Sequence, residues 1–118
     1  MARVALVTGG QRGIGATISE RLKDHGRTVV ASYAGNEEAA KAFTERTGIP
    51  CIRFDVGDFE QCKAAVAGIR EKYGPIEILV NNAGITRDGF FHKMTLDQWT
   101  QVVSVNMDSL FNMTRQVI

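Results

Sequence analysis

The chain has 118 residues, 44% of them apolar, and a formal charge of +1. That length suits one domain burying roughly two-thirds of the surface it exposes when unfolded, and the apolar share excludes a disordered tail. The near-neutral balance leaves no electrostatic footprint for nucleic acid or an anionic membrane as partner, and no apolar run is long enough to span a bilayer.

Residues 4–8 form a continuous apolar run that opens without a signal peptide ahead of it, as expected of a strand covered on both faces. After a glycine-rich turn, Ile14, Ile18 and Leu22 recur every four residues and predict a helix closed at His25-Gly26. Residues 28–33 read as a second strand. Asn36 predicts a cap for a helix over 37–47, with Glu37 and Glu38 at its positive end and Gly48 stopping it. Residues 51–56 read as a third strand. Asp58 and Gln61 have capping-box spacing and open a helix lined by Cys62, Ala65, Val66, Ile69 and Tyr73, stopped by Gly74-Pro75. A fourth strand over 76–81 is followed by a loop to Lys93. Thr95 and Gln98 form another capping box, and the helix they begin is expected to run unbroken to Ile118.

Cys51 and Cys62 sit neither in a CxxC nor beside histidines. No metal site and no disulfide framework is expected, and small buried thiols in a reducing cytoplasm fit better. Asn112-Met113-Thr114 matches a glycosylation triplet, which without a secretory signal is read as coincidence. The strand–helix alternation predicts an α/β fold: a Rossmann-like, doubly wound parallel sheet in spatial order 3-2-1-4, with flanking helices and right-handed crossovers.

Between the first strand and the first helix stands Thr8-Gly9-Gly10-Gln11-Arg12-Gly13-Ile14-Gly15. Free N–H groups and the positive dipole end make a helix start favourable for phosphate, and glycines let the backbone come close. A merely tight turn is the plain alternative; the strand-to-helix context favours a dinucleotide site. Three residues separate Gly9 from Gly13, the TGxxxGxG form, which resembles the short-chain dehydrogenase/reductase family. Asp55-Val56 and Asn81-Asn82-Ala83-Gly84 strengthen the likeness, the latter being the NNAG motif of that family.

The resemblance extends over all 118 residues and implies a set of cofactor-binding positions: Gly9, Gln11, Arg12, Gly13, Ile14, Gly15, Tyr33, Asp55, Val56, Asn82, Ala83 and Gly84. Asp55 corresponds to the Asp that contacts the adenine amino group. An NAD enzyme normally carries an acid at the end of the second strand. Here Ser32-Tyr33-Ala34 stands there, with no acid before Glu37, and that removes a charge that would repel a 2′-phosphate. Arg12 matches the basic turn residue of NADP-preferring members, with a solvated surface charge as the alternative. The cofactor expected is NADPH.

Asn106 falls inside an apolar stripe of Trp99, Val102, Val103, Leu110, Met113 and Val117. A buried amide needs partners. It is either a satisfied core asparagine or, as the resemblance implies, a catalytic residue holding a water that links the catalytic Lys to solvent. The family's acid is the Tyr of a Tyr-x-x-x-Lys segment, helped by a Ser. Tyr33 and Tyr73 are followed four residues on by Glu37 and Glu77, and both precede the NNAG segment. The expectation is therefore one domain, residues 1–118, that is the NADP-binding half of an enzyme, ends before its Ser, Tyr and Lys, and is inactive alone. With no fifth strand, an isolated chain is expected to be marginal in stability or to associate through its open sheet edge.

Residues 84–88, 93–95, Trp99 and 109–114 look like those of the acetoacetyl-CoA reductases in this family, which implies reduction of a 3-oxoacyl thioester for polyhydroxyalkanoate synthesis. The 3-oxoacyl-acyl-carrier-protein reductases share much of the loop after NNAG and are the alternative, as is a non-catalytic dinucleotide-binding fragment. Asp88, with Phe90, is the candidate for the substrate entrance. His92 reads as a solvated loop residue and His25 as a charge at a helix C-terminus. The resemblance also implies a homo-oligomer, a tetramer for the full-length parent.

Overall fold

A computed structural model of the chain describes residues 3–84 and 93–118. The elements run β1 (Val4–Val7), α1 (Gly13–Asp24), β2 (Thr28–Tyr33), α2 (Glu37–Thr47), β3 (Cys51–Arg53), α3 (Phe59–Tyr73), β4 (Ile76–Val80), α4 (Leu96–Val103) and α5 (Ser109–Val117). A π-helical turn, Ser104–Asp108, joins α4 to α5. All strand pairs are parallel and the order is β3-β2-β1-β4, as the alternation of elements predicts. No helix among the described residues is long and apolar enough to cross a membrane.

β1 is buried along its whole length because helices cover both faces of the sheet. Its alternate residues feed two cores. Val4 and Leu6 pack with Val30, Phe54, Val66, Ile69 and Met113 beneath α3 and α5. Ala5 and Val7 pack with Ala16, Val29, Ala31 and Phe43 beneath α1 and α2. Each aliphatic side chain so buried contributes about 1.5–3 kcal/mol. α1 meets the sheet through its small residues Gly15, Ala16 and Ser19, so its backbone comes close. Ile18 and Leu22 flank that contact half-buried, while Ile14 lies 76% exposed, off the core that its spacing predicts.

Local chemistry sets most helix ends where the sequence puts them. Asn36 Oδ1 accepts from the Ala39 amide at 3.0 Å and opens α2, and Gly48 closes it at φ +78°. Thr95 and Gln98 make the reciprocal capping box, at 3.1 and 3.0 Å. At α3 only half of the expected box forms: Asp58 accepts from the Gln61 amide at 3.1 Å. The Gln61 side chain turns instead to accept from the Asp55 amide at 2.9 Å. β3 itself ends at Arg53, with one further backbone bond from the Phe54 amide to the Tyr33 carbonyl at 3.1 Å, rather than running to residue 56.

The last helix departs most from expectation. A continuous α-helix would bring Val102, Asn106 and Leu110 onto one face. The π-helical turn adds a residue within that span. Downstream of it Ser109, Asn112 and Met113 turn inward, and Leu110 and Phe111 are left 48% and 63% exposed. Trp99, also expected in the apolar stripe, is 52% exposed.

Candidate functional site

The glycine turn leaves β1 at the end of the sheet where the strands finish and the helices begin. Three hydroxyls hold it. Thr8, 2% exposed, accepts from the amides of Asn82 and Ala83 at 3.0 Å each and donates to the Val80 carbonyl at 3.3 Å. Ser32 Oγ accepts from the Gly9 amide at 3.3 Å, and the Ser32 carbonyl accepts from the Gly10 amide at 3.2 Å. Ser19, wholly buried in α1, donates to the Gly10 carbonyl at 2.9 Å. The turn is thereby tied to β2, to α1 and to the segment after β4.

Gly13 starts α1 at φ +57°, a left-handed conformation that favours glycine. Arg12 precedes it without a side-chain cap, and no acid stands in the first turn of α1. The positive end of the helix is therefore left for an anion. Gly15 lies beneath the turn, where a Cβ would overlap the Gly9 carbonyl oxygen and reach within 2.6 Å of Asn82 Nδ2. That amide donates to the Gly9 carbonyl at 3.2 Å and fastens the turn to the strand beside it.

Between these segments opens a cleft of about 330 Å³, inside the range of small-ligand sites. The turn lines it with Gly9, Gln11, Arg12 and Gly13, and the segment after β4 with Asn82, Ala83 and Gly84. Tyr33 comes from the end of β2, and Asp55 and Val56 from beyond β3. Ten of the twelve positions expected for the cofactor thus share one cavity. The remaining two, Ile14 and Gly15, do not line it: the first points to solvent and the second packs below. Ser32, Ala34, Phe54 and Val105 line it as well.

The electrostatics of the cleft are simple. Asp55 is exposed, and its Oδ1 accepts from the Gly57 amide at 2.8 Å. Gln11 is 9% exposed, and its Oε1 is buried with no hydrogen-bond partner among the described residues. An acceptor so placed costs about 1–3 kcal/mol until a donor reaches it, which suits a bound group carrying hydroxyls. Asn106 stands half-buried over Gly84, its Oδ1 3.2 Å from where a Cβ on that glycine would lie. Asp88, Phe90 and His92 lie outside the described residues.

Both cysteines are free. Cys62 is fully buried below Asp55, its Sγ 3.5 Å from the Val56 carbonyl. Burial, and then the charges of Asp55 and Asp58, push its thiol up to about 11. Burial also raises Cys51, against a smaller opposing effect of the Thr44 hydroxyl. Neither is a nucleophile near neutral pH. Among the described residues no group of three or more His, Cys, Asp and Glu side chains could hold a metal ion. His25 Nδ1 lies 2.8 Å from the Arg21 carbonyl at the end of α1, outside the cleft.

The short chain dehydrogenase family model matches residues 3–118. The chain belongs to the short-chain dehydrogenase family. It is 58% identical to an acetoacetyl-CoA reductase of Paracoccus denitrificans over 99% of its own length and 48% of that protein. It is 38% identical to a 3-oxoacyl-acyl-carrier-protein reductase of Staphylococcus aureus, over 95% of this chain and 48% of that one. A blue fluorescent protein from a metagenomic library, solved in complex with NADPH, matches its fold with a TM-score of 0.89 at 33% identity, covering 98% of this chain and 49% of that one. The chain therefore spans about half the length of the curated relatives it matches.

Ser19 and Ser32 help to build the site but lie outside the motif, and Thr8, which opens the motif, is not among the positions expected to form it. The available signal is their type. Thr8 and Ser32 each end a buried apolar run, where an unpaired polar group is costly, whereas Ser19 lies on the sheet-facing side of an amphipathic helix.

Proposed function

We propose that this chain forms the NADPH-binding half of a reductase that converts a 3-oxoacyl thioester, acetoacetyl-CoA, to (R)-3-hydroxybutyryl-CoA. The observation that carries the reading is the cleft: an uncapped, acid-free helix start beside a strand end that carries Tyr33 and Ala34 but no carboxylate. The 58% identity to an acetoacetyl-CoA reductase supports the choice of substrate. NADPH when bound supplies the hydride.

The roles of the chain's own residues follow from their positions. The free N–H groups at the start of α1, where Gly13 lines the cleft, would hold the pyrophosphate. Arg12 answers the 2′-phosphate. Gln11 offers its unpartnered Oε1 to a ribose hydroxyl, and Asp55 accepts from the adenine amino group. Asn82, Ala83 and Gly84 form a wall of small side chains against which the nicotinamide end lies, and Asn106 above Gly84 orders a water in the proton path. The resemblance to the 3-oxoacyl reductases, rather than any described position, assigns Asp88 to the substrate. Tyr33 borders the cofactor cleft and Tyr73 ends α3, packed on the core; neither has a Lys four residues on. The acid that protonates the forming alkoxide therefore comes from outside these residues, in an enzyme of the cytoplasm that works as a homo-oligomer.

The test is NADPH oxidation by the natural protein with acetoacetyl-CoA. Turnover with NADPH well above that with NADH is expected. Failure on the CoA thioester with turnover on the acyl-carrier-protein thioester would move the chain to the second reading, which the 38% identical reductase favours. Tighter binding of NADH than NADPH would sink the cofactor assignment.

A further inference from the structure

The turn from β2 into α2 carries two opposite charges beside the cleft. Arg53, the last residue of β3, pairs in register with Tyr33, and Tyr33 and Ala34 line the cavity. Arg53 Nε donates to the Ala34 carbonyl at 3.1 Å, which fixes the guanidinium against the turn. Its Nη1 lies 3.6 Å from Glu37 Oε1, with the two side chains 57% and 68% exposed. Glu37 is the first acid after β2. In dinucleotide folds an acid in this region accepts from a ribose 2′-hydroxyl and repels a 2′-phosphate, whereas a nearby arginine accommodates the phosphate.

From this geometry we infer that Arg53 determines the preference for a 2′-phosphorylated adenosine, resting on the NADPH reading above. It acts in two ways. Its charge neutralises Glu37, so the nearest carboxylate does not oppose the phosphate. Its guanidinium, anchored by the Ala34 carbonyl, adds a second cation from the β3 side, while Arg12 approaches from the glycine turn. An ion pair this exposed contributes little to folding. Replacing Arg53 therefore leaves the fold intact and changes recognition.

The experiment is calorimetric titration of the natural protein with 2′,5′-ADP and, separately, 5′-AMP. Arg53→Met is expected to weaken 2′,5′-ADP by about five- to tenfold, less than a fully desolvated charge-assisted contact because the guanidinium is exposed, and to leave 5′-AMP unchanged. Arg53→Lys restores part of the loss, because the charge returns without the fork that holds the Ala34 carbonyl. Glu37→Gln in the Arg53→Met background also recovers part of it, by removing the uncompensated carboxylate. Equal weakening of both nucleotides in Arg53→Met, or no weakening of either, overturns the inference. Wild-type protein that binds 5′-AMP as tightly as 2′,5′-ADP overturns the NADPH reading itself.

Discussion

Replacing Thr8 by valine keeps the shape of the side chain and removes its hydroxyl. In the native chain that oxygen accepts from the amides of Asn82 and Ala83, at 3.0 Å each. The Asn82 amide also reaches the Val80 carbonyl at 3.1 Å, so it keeps one acceptor after the change. The Ala83 amide loses the acceptor it has here. An unsatisfied, part-buried amide costs about 1–3 kcal/mol and a weakened one a fraction of that, so the expected loss is about 2 kcal/mol. With an m-value of about 1–2 kcal/mol/M in urea, the midpoint should fall by about 1–2 M without a change in slope. Thr8→Ser, which keeps the oxygen, should lie within about 1 kcal/mol of wild type. Amide exchange at Ala83 should rise in Thr8→Val and not in Thr8→Ser. A Thr8→Val midpoint equal to that of Thr8→Ser would refute the reasoning, since the hydroxyl would then not be what ties the glycine turn to the segment after β4.

Gly15→Ala sets a Cβ against the Gly9 carbonyl, which is backbone and must yield, and against the side-chain Nδ2 of Asn82. Overpacking of this kind costs about 1–3 kcal/mol, so the melting transition should fall by several degrees and the opened turn should lose 5′-AMP binding at temperatures where the chain is still folded; unchanged binding would contradict the close approach. Cys62 makes stability depend on alkaline pH. Its thiol, at about 11 in the fold and near 9.0 when unfolded, keeps its proton where the unfolded chain has lost it. Stability is then full below pH 9 and falls as pH rises toward 11, by about 2 kcal/mol, and Cys62→Ala should flatten that decline relative to wild type. Parallel curves for the two proteins would rule the thiol out as the cause.

What could be read from the sequence was local or periodic. Asn36, Asp58 and Thr95 cap helices because a side-chain oxygen two or three residues ahead of a free amide needs nothing else. The sheet order followed from strands separated by helices, and most of the cleft from glycines at a strand-to-helix turn. What could not be read depends on partners distant in the chain. Ser32 meets Gly9 across 23 positions, and Thr8 meets Ala83 across 75. Ile14 keeps the four-residue period of a core residue, yet α1 approaches the sheet through Gly15, Ala16 and Ser19 and leaves it outside. Gln61 had two acceptable uses, and the tertiary one at Asp55 won over the helix cap.

The π-helical turn at Ser104–Asp108 separates two packing problems that an ordinary helix would have to solve with one rotation. Upstream, Ser104 Oγ donates to the Gly57 carbonyl at 3.1 Å and Asn106 stands over Gly84. Downstream, Asn112 Nδ2 donates to the Val56 carbonyl at 3.0 Å and Met113 is sealed in the core. Removing one residue from the turn would restore an unbroken helix and swing one group of contacts away from the other by about 100°. Length within this helix is therefore as constrained as identity. Insertions and deletions that surface loops absorb would here exchange a cleft residue for a core residue, and a conservative point substitution would not reproduce that effect.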